Sequence, residues 1–457
     1  MEFSIERLKP LAEEMAMIIG QELKQKEDYK ERAIENEIRK QLLELGRQTF
    51  GMVLSQADGV AEREIPCDCG GTLYYQRRRP AQVLSLFDRV EYERNYYAGC
   101  ECGKGKAPLD EKLGLQPNQV TSGLASLLGM AGIELAFDYS SRWLRPFLLF
   151  QVSENTIRKE TQRYGELQIE CEHEWIHQSQ DPVYLQERLR TEKDIPKRVY
   201  GSIDGATVRI EERSKDEAQD EKWREMKVGC WYQVEPVPKS HHTQRHQQKE
   251  AIGQQALRAQ DMRYFCDIAE VDDFEPLFWA TGCQVKADLA EEVVFVCDGA
   301  KWIWRLVETY FPHAVQILDW YHAEERLEKV ANDVFTPDQA KSWLDDILTA
   351  MWEGDTRMLI SACDALSPKS EIAAQAVTYF RNNAHRMQYD RFRLLGYMIG
   401  SGTVESGCKQ IVTHRLKRSG AQWNLQGARL TAKARAAWLS ADWDHLCSRR
   451  DQLPLAV

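Results

Sequence analysis

The chain has 457 residues, 43% hydrophobic and 29% charged, the balance of a globular protein with several domains and a large core. Lys and Arg number 60 against 71 Asp and Glu, a formal net charge of −11. That acidity excludes a protein that coats nucleic acid over its whole surface, but it permits a local basic groove. No apolar run of about eighteen residues occurs, so no membrane partner is expected. The start, Met1-Glu2-Phe3-Ser4-Ile5-Glu6-Arg7-Leu8, lacks the basic and apolar regions of a signal peptide, and a cytoplasmic location is expected. Twelve cysteines in an intracellular chain of this length read as thiols or metal ligands, not as a disulfide framework.

Residues 1–60 carry helical periodicity through Leu11, Met15, Ile18 and Ile19, then Leu42, Leu43 and Leu45, around a densely charged middle. Residues 61–115 change character. Cys67-Asp68-Cys69-Gly70-Gly71 and Cys100-Glu101-Cys102-Gly103 flank two predicted strands, 73–79 and 89–98. Two glycine-flanked Cys pairs at the ends of one small β unit can place four thiolates around a structural Zn²⁺, as in a zinc ribbon. The alternative is four ordinary core cysteines. Arg77, Arg78 and Arg79 are either a phosphate contact or a solvated hairpin tip.

Residues 116–195 return to helical spacing. Within them, 144–163 has the layout of a helix-turn-helix: Val152 closes a turn, Ser153 caps a second helix, and Arg158 and Lys159 give it a basic face for DNA. A purely structural helix pair is the alternative. The polar stretch 181–196 reads as a linker.

From 196 onward the pattern becomes α/β. Strands are predicted at 198–210, with Asp204 inside, at 226–234 and at 262–271. The polar tract 238–250, with His241, His242 and His246, reads as an exposed loop. A helix over 272–290 follows. Then come a strand, Val293-Val294-Phe295-Val296-Cys297, ending at Asp298, a helix over 301–310, and a fifth strand, 314–318, ending at Asp319. Residues 323–393 are helical throughout. The closing segment, 396–457, runs through Gly400-Ser401-Gly402 into a helix that Thr403 can cap, with Glu405 in its first turn. Lys409, Arg415, Lys417, Arg418, Arg429, Lys433, Arg435, Arg449 and Arg450 follow as a candidate phosphate track, and Trp423 is a candidate base-stacking side chain. No G-x-G-x-x-G or Walker A run is present, and three strands before the first helix argue against a doubly wound nucleotide fold.

The order βββαβαβα is that of an RNase H-like domain, spanning 196–322 with an all-helical insertion at 323–395. In that arrangement the first and fourth strands are neighbours and a late helix crosses beside them. Asp204, Asp298 and Glu405 then converge, and three hard oxygen ligands suit two Mg²⁺ or Mn²⁺ ions. Each acid alone also has a structural reading, as a turn, a strand-end cap or a helix cap.

Residues 197–440 resemble the DDE transposases of the ISKra-type insertion-sequence family, in the Mutator-like group. The resemblance rests on Ser202-Ile203-Asp204-Gly205-Ala206, Val296-Cys297-Asp298-Gly299-Ala300, Leu318-Asp319-Trp320-Tyr321-His322-Ala323 and Ile399-Gly400-Ser401-Gly402-Thr403-Val404-Glu405-Ser406. Asp319-x-x-His322 matches the group's signature. The resemblance implies an enzyme that cuts DNA at element ends and joins the freed 3′-hydroxyl to target DNA. Asp204, Asp298 and Glu405 would be the metal ligands, double-stranded DNA the partner, and a homo-oligomer the DNA-bound form, associated with the nucleoid. His322 would contact a phosphate or position DNA, or else bond Asp319. The acidic net charge departs from the family. Two alternatives stand beside this: a catalytically inactive transposase-derived DNA-binding protein, and an RNase H-like nuclease without strand transfer.

Overall fold

The computed structural model describes residues 5–24, 30–116, 118–211, 222–241 and 255–452. His242 and His246 lie outside them. The chain forms two compact units, Met1–Thr161 with His445–Val457, and Gln162–Asp444.

In the first unit, helices Ile5–Lys24 and Glu31–Ala57 precede an antiparallel sheet of β1 (Glu64–Pro66), β2 (Thr72–Ser85) and β3 (Asp88–Ala98), in the order β1-β2-β3. Leu54, Val83, Val90, Tyr92 and Leu109 fill its core. The β2–β3 hairpin is longer than its sequence pattern, so the tip is Leu86-Phe87 and the three arginines are mid-strand. There Arg78 donates to the Ser55 carbonyl at 2.8 Å, and Arg79 lies 4.2 Å from the Tyr96 ring centre. All three are exposed and stand mid-strand, not at a hairpin tip.

Helix Phe137–Leu148 ends on Leu149 in the left-handed region (φ 65°), and helix Glu154–Gln180 follows. Ser153 caps it, accepting from the Thr156 N–H at 3.1 Å. The second helix runs 27 residues, far beyond the expected pair. Lys159 on it is exposed, while Arg158 is half-buried and donates to Asn155 at 2.7 Å. The stretch read as a linker is also helical, Pro182–Thr191. Asp181 caps it through the Val183 N–H and proline occupies the first turn, a start signal outweighed in the sequence by its polar composition. Arg188 from this helix is buried against Asp288 at 3.0 Å.

The second unit holds β4 (Arg198–Arg209), β5 (Trp223–Pro236), β6 (Leu257–Asp267), β7 (Glu292–Cys297) and β8 (Val315–Leu318). Their order is β6-β5-β4-β7-β8. β4, β5 and β6 pair antiparallel, whereas β7 and β8 add parallel to β4. One face is closed by helices Val271–Gln284 and Lys301–Tyr310 over a cluster centred on Trp231, with Phe278, Phe295 and Phe311 rings 5.4–5.5 Å away. Gly201 and Gly229 make room for it: a Cβ there would lie 2.4 Å from the Phe295 ring and 2.0 Å from that of Phe265. Five helices follow, Trp320–Val334, Pro337–Trp352, Thr356–Leu366, Glu371–Asn383 and Tyr389–Leu394. The chain then returns to the sheet through helix Gly402–Cys408, a π-helical turn Lys409–Thr413, and helix Leu425–Leu439. Among the described residues, no helix is long and apolar enough to cross a membrane.

Candidate functional site

The site begins with strand register. Gly201 of β4 is level with Phe295 of β7, and Cys297 of β7 is level with Leu318 of β8. Continuing both registers along the chain makes Asp204, Asp298 and Asp319 level on three adjacent parallel strands, Asp204 within β4 and the other two just past the ends of β7 and β8. Such strands lie about 4.8 Å apart, and level residues share a face. The neighbours Ile203 and Cys297 point into the Trp231 cluster, which leaves the aspartates the opposite face. Like charges at this spacing repel. Burial raises the Asp298 carboxyl above the ordinary carboxylate range, and the charges of Asp204 and Asp319 push it the same way. The Cys408 thiol donates to Asp204, and burial with that charge raises the thiol.

Asp319 is fully buried, and its oxygens are already committed. Oδ1 accepts from the His322 N–H at 2.7 Å and from His322 Nδ1 at 3.0 Å; Oδ2 accepts from the Ser401 N–H. Burial works to raise this carboxyl, but the bonds from His322 and Ser401 outweigh it and hold it below the ordinary range. The Asp319 bond dominates at His322, raising the imidazole to about 9 against the opposing effect of burial, with further help from Asp298 and Asp204. His322 is therefore an imidazolium at neutral pH, with Nδ1 turned to Asp319.

Glu405 lies on helix Gly402–Cys408, capped by Ser401 rather than by Thr403, which falls inside the helix. The Ser401 hydroxyl reaches Glu405 Oε1 at 3.3 Å. Ligand atoms of Asp319, His322 and Glu405 lie within 4.8 Å of one another. Within that trio Asp319 already accepts three hydrogen bonds, two at Oδ1 and one at Oδ2. Asp319 is a positioning residue that ties the β8 end to both His322 and the loop before Glu405. Of the three expected metal ligands, Asp204 and Asp298 repel one another across adjacent strands, while Glu405 meets Asp319 and His322 instead.

Folding buries part of the expected phosphate track. Arg415 is 2% exposed and packs 4.9 Å from the Trp423 ring centre. Trp423 is buried too and donates to the Leu416 carbonyl at 3.0 Å, so it is a core side chain and not a base-stacking one. Lys433 and Arg429 pair with Asp267, Arg435 with the Gln410 carbonyl at 2.5 Å, and Arg450 with Glu160 at 2.7 Å. Their partners come from distant parts of the sequence. Lys409 and Lys417 remain exposed, and Arg418 half so.

The four cysteines of the first unit meet as expected. Cys67 and Cys102 sulfurs are 3.5 Å apart, Cys69 and Cys67 3.4 Å, and Cys69 and Cys100 3.3 Å. Each pair sits in the same turn: Gly70 donates to the Cys67 carbonyl at 2.9 Å, and Gly103 to that of Cys100 at 3.0 Å. Both glycines have positive φ, 88° and 74°. Cys69 and Cys102 are exposed, which core thiols are not. A tetrahedron of thiolates about 2.3 Å from Zn²⁺ has edges of about 3.8 Å, so the cluster can hold that ion after a small expansion. Elemental analysis of the purified protein is expected to give about one zinc per chain, and Cys69→Ser to lose most of it. Zinc-free protein prepared without chelator would return these cysteines to a structural role.

Residues 244–445 match the profile of an uncharacterised protein family, UPF0236. The match covers less than half of the chain. It includes Asp298, Asp319, His322 and Glu405, and stops short of Asp204 and the cysteine cluster. No curated protein matches the chain.

Proposed function

We propose that the protein is a DNA transposase of the DDE type, with an RNase H-like catalytic domain. The observation that carries this reading is the register of Asp204 and Asp298 on adjacent parallel strands, in the order β6-β5-β4-β7-β8, with Glu405 on a later helix brought beside His322. Asp204, Asp298 and Glu405 would hold two Mg²⁺ or Mn²⁺ ions. Such ions activate the attacking oxygen and stabilise the leaving oxygen on phosphorus. The chain's own part is to gather the acids, to present the protonated His322 to a phosphate, and to fix both through Asp319. Double-stranded DNA, as element ends and target, is the partner, with a homo-oligomer as the working form in the nucleoid.

The test uses DNA flanking the coding region, whose inverted repeats define the end substrate. With Mg²⁺ or Mn²⁺ the protein is expected to cut at the repeat and to join the 3′-hydroxyl end to a plasmid. Ca²⁺ is expected to leave the DNA uncut. Cutting without joined product would favour a nuclease. Binding without cutting would favour an inactive transposase-derived protein.

A further inference from the structure

Folding separates Trp423 from the surface and brings another tryptophan to the cations that remain. Trp223, the first residue of β5, is 53% exposed. It lies directly across from Arg209, the last residue of β4, which is also open to solvent. Arg209, Trp223, Lys417 and Arg418 line one cleft of about 280 Å³. Among the described residues that line it, the one acid, Glu211, is paired with Arg209 at 3.1 Å.

A tryptophan left half in water costs apolar surface that a core position would have buried. Here it stands among three cations on a chain whose net charge is −11. The complementary occupant is a polyanion with flat apolar faces, which describes an unpaired nucleic-acid strand: phosphates meet the cations and a base meets the indole.

We propose that this cleft binds an unpaired DNA strand, with Trp223 stacked on a base and Arg209, Lys417 and Arg418 on its phosphates. The assignment rests on the DNA-cleaving reading and adds the form of DNA that the site selects.

The test compares two probes on the full-length protein: a blunt duplex, and the same duplex with about six unpaired nucleotides. Wild type is expected to prefer the second. Trp223→Ala is expected to weaken that probe by about 5- to 150-fold and leave the blunt one unchanged, whereas Trp223→Phe retains the preference. Lys417→Gln is expected to lower the salt slope by about 0.7 on the unpaired probe. The circular dichroism spectrum and melting temperature of Trp223→Ala serve as its folding control. If wild type cuts DNA yet Trp223→Ala keeps the wild-type ratio between probes, the cleft assignment falls and the transposase reading stands. If wild type neither binds nor cuts either probe, both fall. An acidic peptide that binds in a Trp223-dependent way and displaces no oligonucleotide would overturn the assignment in favour of a protein partner.

Discussion

Asp298→Asn is expected to lower DNA cleavage by about a thousand-fold or more while leaving binding to end DNA and the folded state intact. Asparagine keeps the oxygen that caps the Ala300 N–H, 3.0 Å from Asp298 Oδ1 in the native protein. What it removes is a charge already opposed by burial and by Asp204 and Asp319. Thermal stability should therefore hold or rise, the sign expected where charges are gathered for function rather than for folding. Asp204→Asn and Glu405→Gln should behave in the same way. Asp319→Asn should not. Its side chain is fully buried and accepts from the His322 backbone, the His322 ring and the Ser401 N–H. An amide cannot accept at both positions, so this variant should lose stability together with cleavage. Cleavage and melting measured side by side on the four variants decide the matter. Full cleavage by Asp204→Asn or Asp298→Asn would end the proposal.

Asp298 and Asp319 were legible because each closes a recognisable strand, Glu405 because it opens a recognisable helix, and Asp204 because a charge inside a strand needs a partner or a site. Val293-Val294-Phe295-Val296-Cys297 is a buried strand by composition, and Asp298 stands where its apolar run stops. The same pattern recurs at Asp319. Its role as the anchor of the site was less visible, since that depends on Ser401 coming from the far side of the five-helix segment. The cysteine turns were legible in the repeated Cys-x-Cys-Gly. Surface and core were not distinguishable for the cations and tryptophans. Lys433 and Arg429 look like one basic stripe until Asp267 and Glu172 arrive from earlier segments. On sequence, Trp423 stands out as a base platform and Trp223 does not. The first is enclosed by Arg415 and the Leu416 carbonyl, and the second stands half exposed at the start of β5.

Lys433→Met should be the most destabilising single change in the second unit, at about 3–5 kcal/mol. Lys433 is 1% exposed, joined to Glu172 and, at 3.0 Å, to Asp267. It fastens helix Leu425–Leu439 both to β6 and to helix Glu154–Gln180, which approach so closely that a Cβ on Gly165 would lie 2.1 Å from the Leu430 carbonyl oxygen. Methionine fills a similar volume, so the loss comes from charge. Asp267 would keep Arg429, at 2.6 and 2.9 Å, but Glu172 would retain only Gln168, at 3.2 Å. Burial already raises Glu172 above the ordinary carboxylate range in spite of Lys433. Without that cation the carboxyl rises further and binds a proton more tightly when folded than when unfolded. Stability of the variant then falls as pH rises from the unfolded value toward the folded one, and the deficit against wild type shrinks as pH is lowered. Urea unfolding at about pH 5 and pH 8 measures both the size and the trend. The double variant Glu172→Gln with Lys433→Met should recover much of the loss, because the uncompensated charge is gone. A Lys433→Met deficit that is the same at both pH values and in the double variant would mean that packing, not the buried ion network, holds these helices to the sheet.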